Sequence, residues 1–188
     1  MDCIDCNDKI CRKQPNSCEK ESFDKKETIS KYLDSSNCEI IKAAAKLVDN
    51  GKAGKLSRLQ EIIEFSKTMN YKKIGLAYCY GMEKQVLKFK KILSDNGLEI
   101  IPISCSVGGL KQSEINQESC IHKVSCNPLG QAQQLNSENV DFTIVFGICL
   151  GHDIILQRNL KMDFTTFVVK DRVFQNQPGT GILMYIPK

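Results

Sequence analysis

From residue 73 onward the chain alternates short apolar runs with amphipathic stretches, and that alternation leaves it very few folds. Residues 73–79 form a brief, mostly apolar run of the kind a buried parallel strand needs. Residues 82–96 carry Val86, Leu87, Phe89 and Leu93 at helical spacing and end at Gly97. A second strand is predicted over 98–105. A long polar loop containing Gly108-Gly109 follows. Asn127-Pro128 then opens a helix to Ser137, with proline at its favoured first position. Residues 142–149, 151–159 and 164–170 continue as strand, helix and strand, and 182–186 suits a short final strand.

Such a pattern specifies an α/β fold, a three-layer doubly wound parallel sheet. Right-handed crossovers favour the strand order 2-1-3-4. Pro102 fits that order, because proline lacks the N–H a central strand must donate and is tolerated at a sheet edge. The first and third strands then flank the switch point where ligands bind beyond the carboxyl ends of strands.

Two helices are expected ahead of the sheet. Ser36 and Glu39 make a capping-box pattern before Ile40, Ile41, Ala44, Leu47 and Val48, and Asn50-Gly51 closes that helix. The second runs over about 55–69. Residues 1–26 have no periodicity and few large apolar side chains, so hydrophobic packing alone cannot order them. Two regions result: a cysteine-rich segment, 1–26, and an α/β domain, 36–188.

The chain has ten cysteines in 188 residues. Its start, Met1-Asp2-Cys3-Ile4-Asp5-Cys6, has neither a basic nor an apolar character, so a secretory signal is not expected. No run of about 18 apolar residues predicts a membrane span. A reducing cytoplasm is therefore the expected location, and there dense cysteine usage means metal ligation or thiol chemistry. The net charge of +4 is modest, the lysines lie on helical faces and tryptophan is absent, which reads as a solvated surface and not a nucleic-acid interface.

The cysteines fall into two sets. Cys3, Cys6, Cys11 and Cys18 lie in the polar segment with two, four and six residues between them. A pair two residues apart grips one ion from a tight turn, and two more thiolates complete a tetrahedral shell. Binding would supply the folding energy this knot lacks. In the second set, Cys79, Cys105 and Cys149 end the first three strands, and Cys126 precedes the Pro128 helix. In a parallel sheet those strand ends share one edge, and the loop can fold back to deliver Cys126. Zinc and an iron–sulfur cluster use the same ligands. Cys38, Cys120 and His122 have no assigned role.

The same edge carries other polar groups. Gly147 and Gly151 bracket a strand-to-helix turn whose N–H groups could receive an anion, a cofactor-binding candidate. His152 and Asp153, and Lys170 and Asp171 with Arg172, are candidates for moving protons or holding a small charged ligand. Three functions stay open: a metal-binding protein in sensing, metal handling or electron transfer; an iron–sulfur-dependent enzyme acting on a small molecule; and a thiol or persulfide carrier.

Taken together, the N-terminal cysteines, Gly75-Leu76-Ala77-Tyr78-Cys79, Cys105 with Val107-Gly108-Gly109, Cys126-Asn127-Pro128-Leu129-Gly130-Gln131-Ala132, Gly147-Ile148-Cys149-Leu150-Gly151-His152-Asp153 and Lys170-Asp171-Arg172-Val173 resemble the prokaryotic DUF1847 family. That resemblance implies a metal and a prokaryotic cytoplasm and supplies no reaction. The polar stretch between Gly109 and Cys120 gives Cys120 no counterpart in it.

Overall fold

A computed structural model describes residues 2–15 and 23–184, which divide into two compact units, Met1–Lys46 and Leu47–Lys188. In the first unit a single 3-10 turn, Ile10–Arg12, follows the first two cysteines. Helix α1 (Lys25–Leu33) is capped by Asp24, whose carboxylate accepts from the N–H groups of Lys26 and Glu27. It was not legible as a helix, because its residues are polar and its apolar Ile29, Tyr32 and Leu33 are exposed. Helix α2 (Ser35–Val48) starts at Asp34, which accepts from the Ser35 N–H at 2.7 Å. The expected Ser36–Glu39 cap is replaced by this earlier start.

The second unit opens with α3 (Arg58–Thr68), where Ser57 and Gln60 form a reciprocal capping box. So among the described residues three α-helices, not two, precede the sheet. Strands β1 (Lys73–Tyr78), β2 (Glu99–Ser104), β3 (Phe142–Phe146) and β4 (Phe164–Val168) form one parallel sheet in the order β2-β1-β3-β4. Pro102 pairs with Leu76 on the edge strand. The N–H groups of Glu99 and Cys105 point to β1, so Pro102, of opposite parity, turns its nitrogen outward where no donor is needed.

Helices cover both faces. On one, Phe65 of α3 meets Tyr71 and Phe142, while Phe89 of α4 (Glu83–Asp95) packs at a tilt against Phe146 and Phe167, with ring centroids 5.3 and 4.6 Å away. Val86, Phe89 and Leu93 form the buried stripe of α4; Leu87, expected among them, is 69% exposed. A four-residue helix, α5 (Gln112–Ile115), lies in the long loop. The other face carries α6 (Pro128–Ser137) and α7 (Leu150–Asn159), tied by the Asn136 amide to the Asn159 carbonyl at 2.9 Å. Gly75 admits α6 to the sheet: a Cβ there would lie 2.7 Å from Thr143 Oγ1 and 2.8 Å from Leu135 Cδ2. Ile74, Leu76, Ile144 and Val145 are fully buried at the centre.

After β4 the chain turns at Asp171 and forms helix α8 (Pro178–Leu183). Residues 182–184 are therefore not the start of a fifth strand. Pro178 at the first helical position favours the helix, and Ile182 and Leu183 are exposed instead of paired. Residues 185 and 186 of that expected strand lie outside the described residues.

Candidate functional site

The sheet carries its pairing one rung past the strands and so sets the cysteines. The Cys105 N–H donates to the Tyr78 carbonyl at 2.8 Å and the Cys79 N–H to the Phe146 carbonyl at 3.2 Å. Adjacent strands are about 4.8 Å apart, so Cys79 and Cys105 leave the sheet as neighbours. Both are buried, at 7% and 2% exposure. Beyond Cys79 a 3-10 turn, Tyr80–Met82, carries the chain to α4. Beyond β3, Gly147 takes a φ of +67°, and a Cβ there would collide with the Met82 sulfur. That turn places Cys149, half-buried, as the N-cap residue of α7.

Cys126 arrives by another route. The Asn127 N–H donates to the Cys105 carbonyl at 2.6 Å, while its side chain caps α6 by accepting from the Gly130 N–H at 2.8 Å. The same side chain donates to the Val107 carbonyl at 3.1 Å. Gly130 must be glycine, since a Cβ would collide with the Asn127 amide. Asn127 thus staples the loop after β2 to the start of α6, and Cys126 Sγ comes to 3.6 Å from Cys105 Sγ. Behind this pair Gln131, fully buried, donates to the carbonyls of Tyr78 and Ile103 and locks the last rung between β1 and β2. Asn127→Ala is expected to cost about 1 kcal/mol of stability through the lost cap and to weaken any metal held at Cys126 by roughly 10–100-fold. Denaturant melts and metal titration check the two effects separately.

Two cations complete the edge. Lys170 Nζ lies 3.7 Å from Cys79 Sγ, and Arg172 Nη2 lies 3.0 Å from Cys149 Sγ. Burial pushes the Cys105 thiol up to about 12; the Tyr80 N–H opposes this, while Cys126 and Cys79 add to it. Burial also raises Cys126, with Cys149 and Cys79 raising it further and Arg172 lowering it. Among the described residues no three His, Cys, Asp or Glu side chains stand close enough together to hold a metal ion as they are. Cys105 and Cys126 form the close pair, and Cys79 and Cys149 each lie against a cation.

The remaining candidates are dispersed. Asp171 shapes the turn after β4, accepting from the N–H groups of Val173 and Phe174 at 2.9 Å, and so presents Arg172. Asp153 accepts from Gln157 one turn along α7. Nδ1 of His152 is buried without a hydrogen-bond partner among the described residues. Open space lies where a Gly151 side chain would be, whereas that space at Gly147 is filled by Met82. His122 Nδ1 meets Ser113 at 3.5 Å, Cys120 is exposed, and Cys38 sits half-buried in α2. In the N-terminal unit, Asp2 accepts from Ile4 and Asp5, and Lys9 donates to the Cys3 and Ile4 carbonyls, folding the chain into a turn around Cys3 and Cys6. Cys11 lies in the 3-10 turn that follows, and Cys18 is outside the described residues. The sequence marks Asn127 as a helix start and Arg172 as part of a charged strand end, but the contacts of Asn127 with Val107 and of Arg172 with Cys149 exist only once the loops have folded together.

A family model described as a protein of unknown function, DUF1847, matches residues 15–167. The chain is 38% identical over 187 residues to the uncharacterized protein MJ0455 of Methanocaldococcus jannaschii, covering 97% of this chain and 93% of that one. No solved structure matches. Among the described residues no helix is long and apolar enough to cross a membrane.

Proposed function

The chain belongs to the DUF1847 family, and from that premise we propose that it is a metal-binding protein centred on Cys79, Cys105, Cys126 and Cys149. The observation that carries this reading is the 3.6 Å approach of Cys126 to Cys105 at an edge that Cys79 and Cys149 share. Four soft thiol donors from four different segments suit zinc or an iron–sulfur cluster, and no common side chain but cysteine offers that donor set. The N-terminal Cys3, Cys6, Cys11 and Cys18 form a second, structural thiolate site. A reducing cytoplasm keeps both sets reduced and available to metal.

The work of such a centre is metal handling, sensing or electron transfer. Direct thiol or persulfide exchange fits less well at Cys105 and Cys126, because a buried thiol held protonated at neutral pH is a poor nucleophile. An enzymatic role would use the open side, where Cys149, Arg172 and Gly151 meet solvent.

Alkylation mapping tests the reading. In metal-loaded protein all four sheet-edge cysteines are expected to resist N-ethylmaleimide at pH 8 while exposed Cys120 reacts. After a chelator strips the metal, half-buried Cys126 and Cys149 label next, and Cys105 labels last, by about 10-fold or more, because its thiol stays protonated. Equal labelling of the four with and without metal rules the centre out.

A further inference from the structure

We infer that Cys105 and Cys126 are a reversible dithiol–disulfide pair, a modification site at which peroxide takes two of the four thiols out of the metal centre. The disulfide follows from the geometry of the pair alone; its effect on metal rests on the four-thiolate reading above.

The two sulfurs are in contact, 3.6 Å apart, and a modest side-chain rotation closes that gap to a disulfide bond of about 2.05 Å. Backbone contacts hold them there. The N–H of Asn127, next to Cys126 in the chain, donates to the Cys105 carbonyl at 2.6 Å. The loop between the two cysteines folds back as a ribbon. Lys111 pairs antiparallel with Val124, the Gln112 N–H donates to the Lys123 carbonyl at 3.0 Å, and the Ser125 N–H to the Leu110 carbonyl at 2.8 Å. Buried Ser125 adds a hydroxyl donated to the Gln112 side chain at 2.6 Å. The cysteines thus meet on a scaffold already closed around them, so bond formation asks little of the chain. Cys79 and Cys149 lie against Lys170 and Arg172 instead.

The oxidant is hydrogen peroxide. Cys126 is half-buried and Cys105 only 2% exposed, so Cys126 meets it first. The Cys126 sulfur gives up its proton and attacks one peroxide oxygen; the O–O bond breaks, water leaves, and the sulfur becomes a sulfenic acid. Cys105 then attacks that sulfur, the S–O bond breaks, and the hydroxide departs as a second water with the Cys105 proton. Burial slows both thiols towards an outside reagent, and contact between the sulfurs speeds only the second step, so the pair answers sustained peroxide. A dithiol supplies the two electrons and two protons that reopen it. A sulfur held in the disulfide is no longer a thiolate ligand, so oxidation and metal occupancy exclude one another.

The test uses the full chain with Cys3, Cys6, Cys11 and Cys18 changed to serine, stripped of metal and exposed to hydrogen peroxide. Cleavage after Lys111, Lys123 and Glu138 puts Cys105, Cys126 and Cys149 on separate peptides, so mass spectrometry without reductant reads the pairing. The Cys105–Cys126 linkage is expected roughly 10-fold or more over any other, and dithiothreitol should reverse it. Cys105→Ser should leave Cys126 as a sulfenic acid that dimedone traps, whereas Cys126→Ser should leave Cys105 reduced. In zinc-loaded protein the linkage should form about 10-fold more slowly, with zinc released as it forms. A different dominant pairing, or a pair that stays reduced while exposed Cys120 oxidises, overturns the inference. If zinc still binds in that case, the metal reading survives. A Cys105–Cys126 linkage in a folded chain that takes up no zinc upholds the pair and removes the metal reading.

Discussion

Cys105→Ser is expected to abolish metal binding at the sheet edge and to leave the N-terminal metal untouched. Cys105 is the most buried of the four thiols, its backbone is fixed to Tyr78, and its sulfur is the one that faces Cys126. Serine is nearly isosteric, and its oxygen can still accept the Tyr80 N–H that the sulfur now receives at 3.4 Å. The fold should therefore persist while a soft ligand becomes a hard, neutral one that a thiophilic ion does not favour. The expected loss is one full equivalent of metal per chain, read by elemental analysis alongside a melting curve. Metal content equal to the parent would mean that Cys105 is not a ligand.

The second large effect concerns the scaffold. Ile144→Ala should destabilise the protein by about 3–5 kcal/mol, because it opens a cavity in a strand that is covered on both faces. Ile144 is fully buried in β3, paired with Leu76 of β1 on one side and Thr165 of β4 on the other. For a chain of this size each kcal/mol lowers the melting temperature by roughly 2–4 °C, so a fall of about 6–20 °C is expected. Leu87→Ala serves as the contrast. It truncates a residue of similar size on the exposed face of α4 and should stay within about 0.5 kcal/mol of the parent. Equal losses from the two would place the core elsewhere.

The parts of the molecule that could be read in advance are those governed by short-range pattern. Apolar runs such as 73–78 and 142–146 can satisfy their backbone and their side chains together only as buried strands. Pro102 then fixed which of them lies at the edge. Cys79 and Cys105, one residue beyond β1 and β2, follow from the same reasoning, because parallel strands bring their carboxyl ends to one side; Cys149 does not end a strand, since β3 stops at Phe146 and the Gly147 turn makes Cys149 the N-cap residue of α7.

What escaped was decided by contacts distant in sequence or by ambiguous short runs. Helix α1 has no apolar stripe to announce it. The apolar residues near 182 suit a strand or a helix turn equally, and Pro178 decides between them. Leu87 lies one position from the buried stripe of Val86 and Phe89, where a single residue rotates a side chain by about 100° around the helix. Asn127 reads locally as a helix cap, and its second task, holding Cys126 on Cys105, exists only once the loop has folded back. Arg172 reads in the sequence as a candidate for a charged ligand, and its approach to Cys149 appears only once the turn made by Asp171 is formed.

The most direct test is X-ray absorption at the metal edge, on the full chain with the four N-terminal cysteines replaced by serine. A first shell of sulfur alone at about 2.3 Å is expected, with no nitrogen or oxygen in it. A shell with two sulfurs or fewer, completed by oxygen or nitrogen, would contradict a centre built from Cys79, Cys105, Cys126 and Cys149.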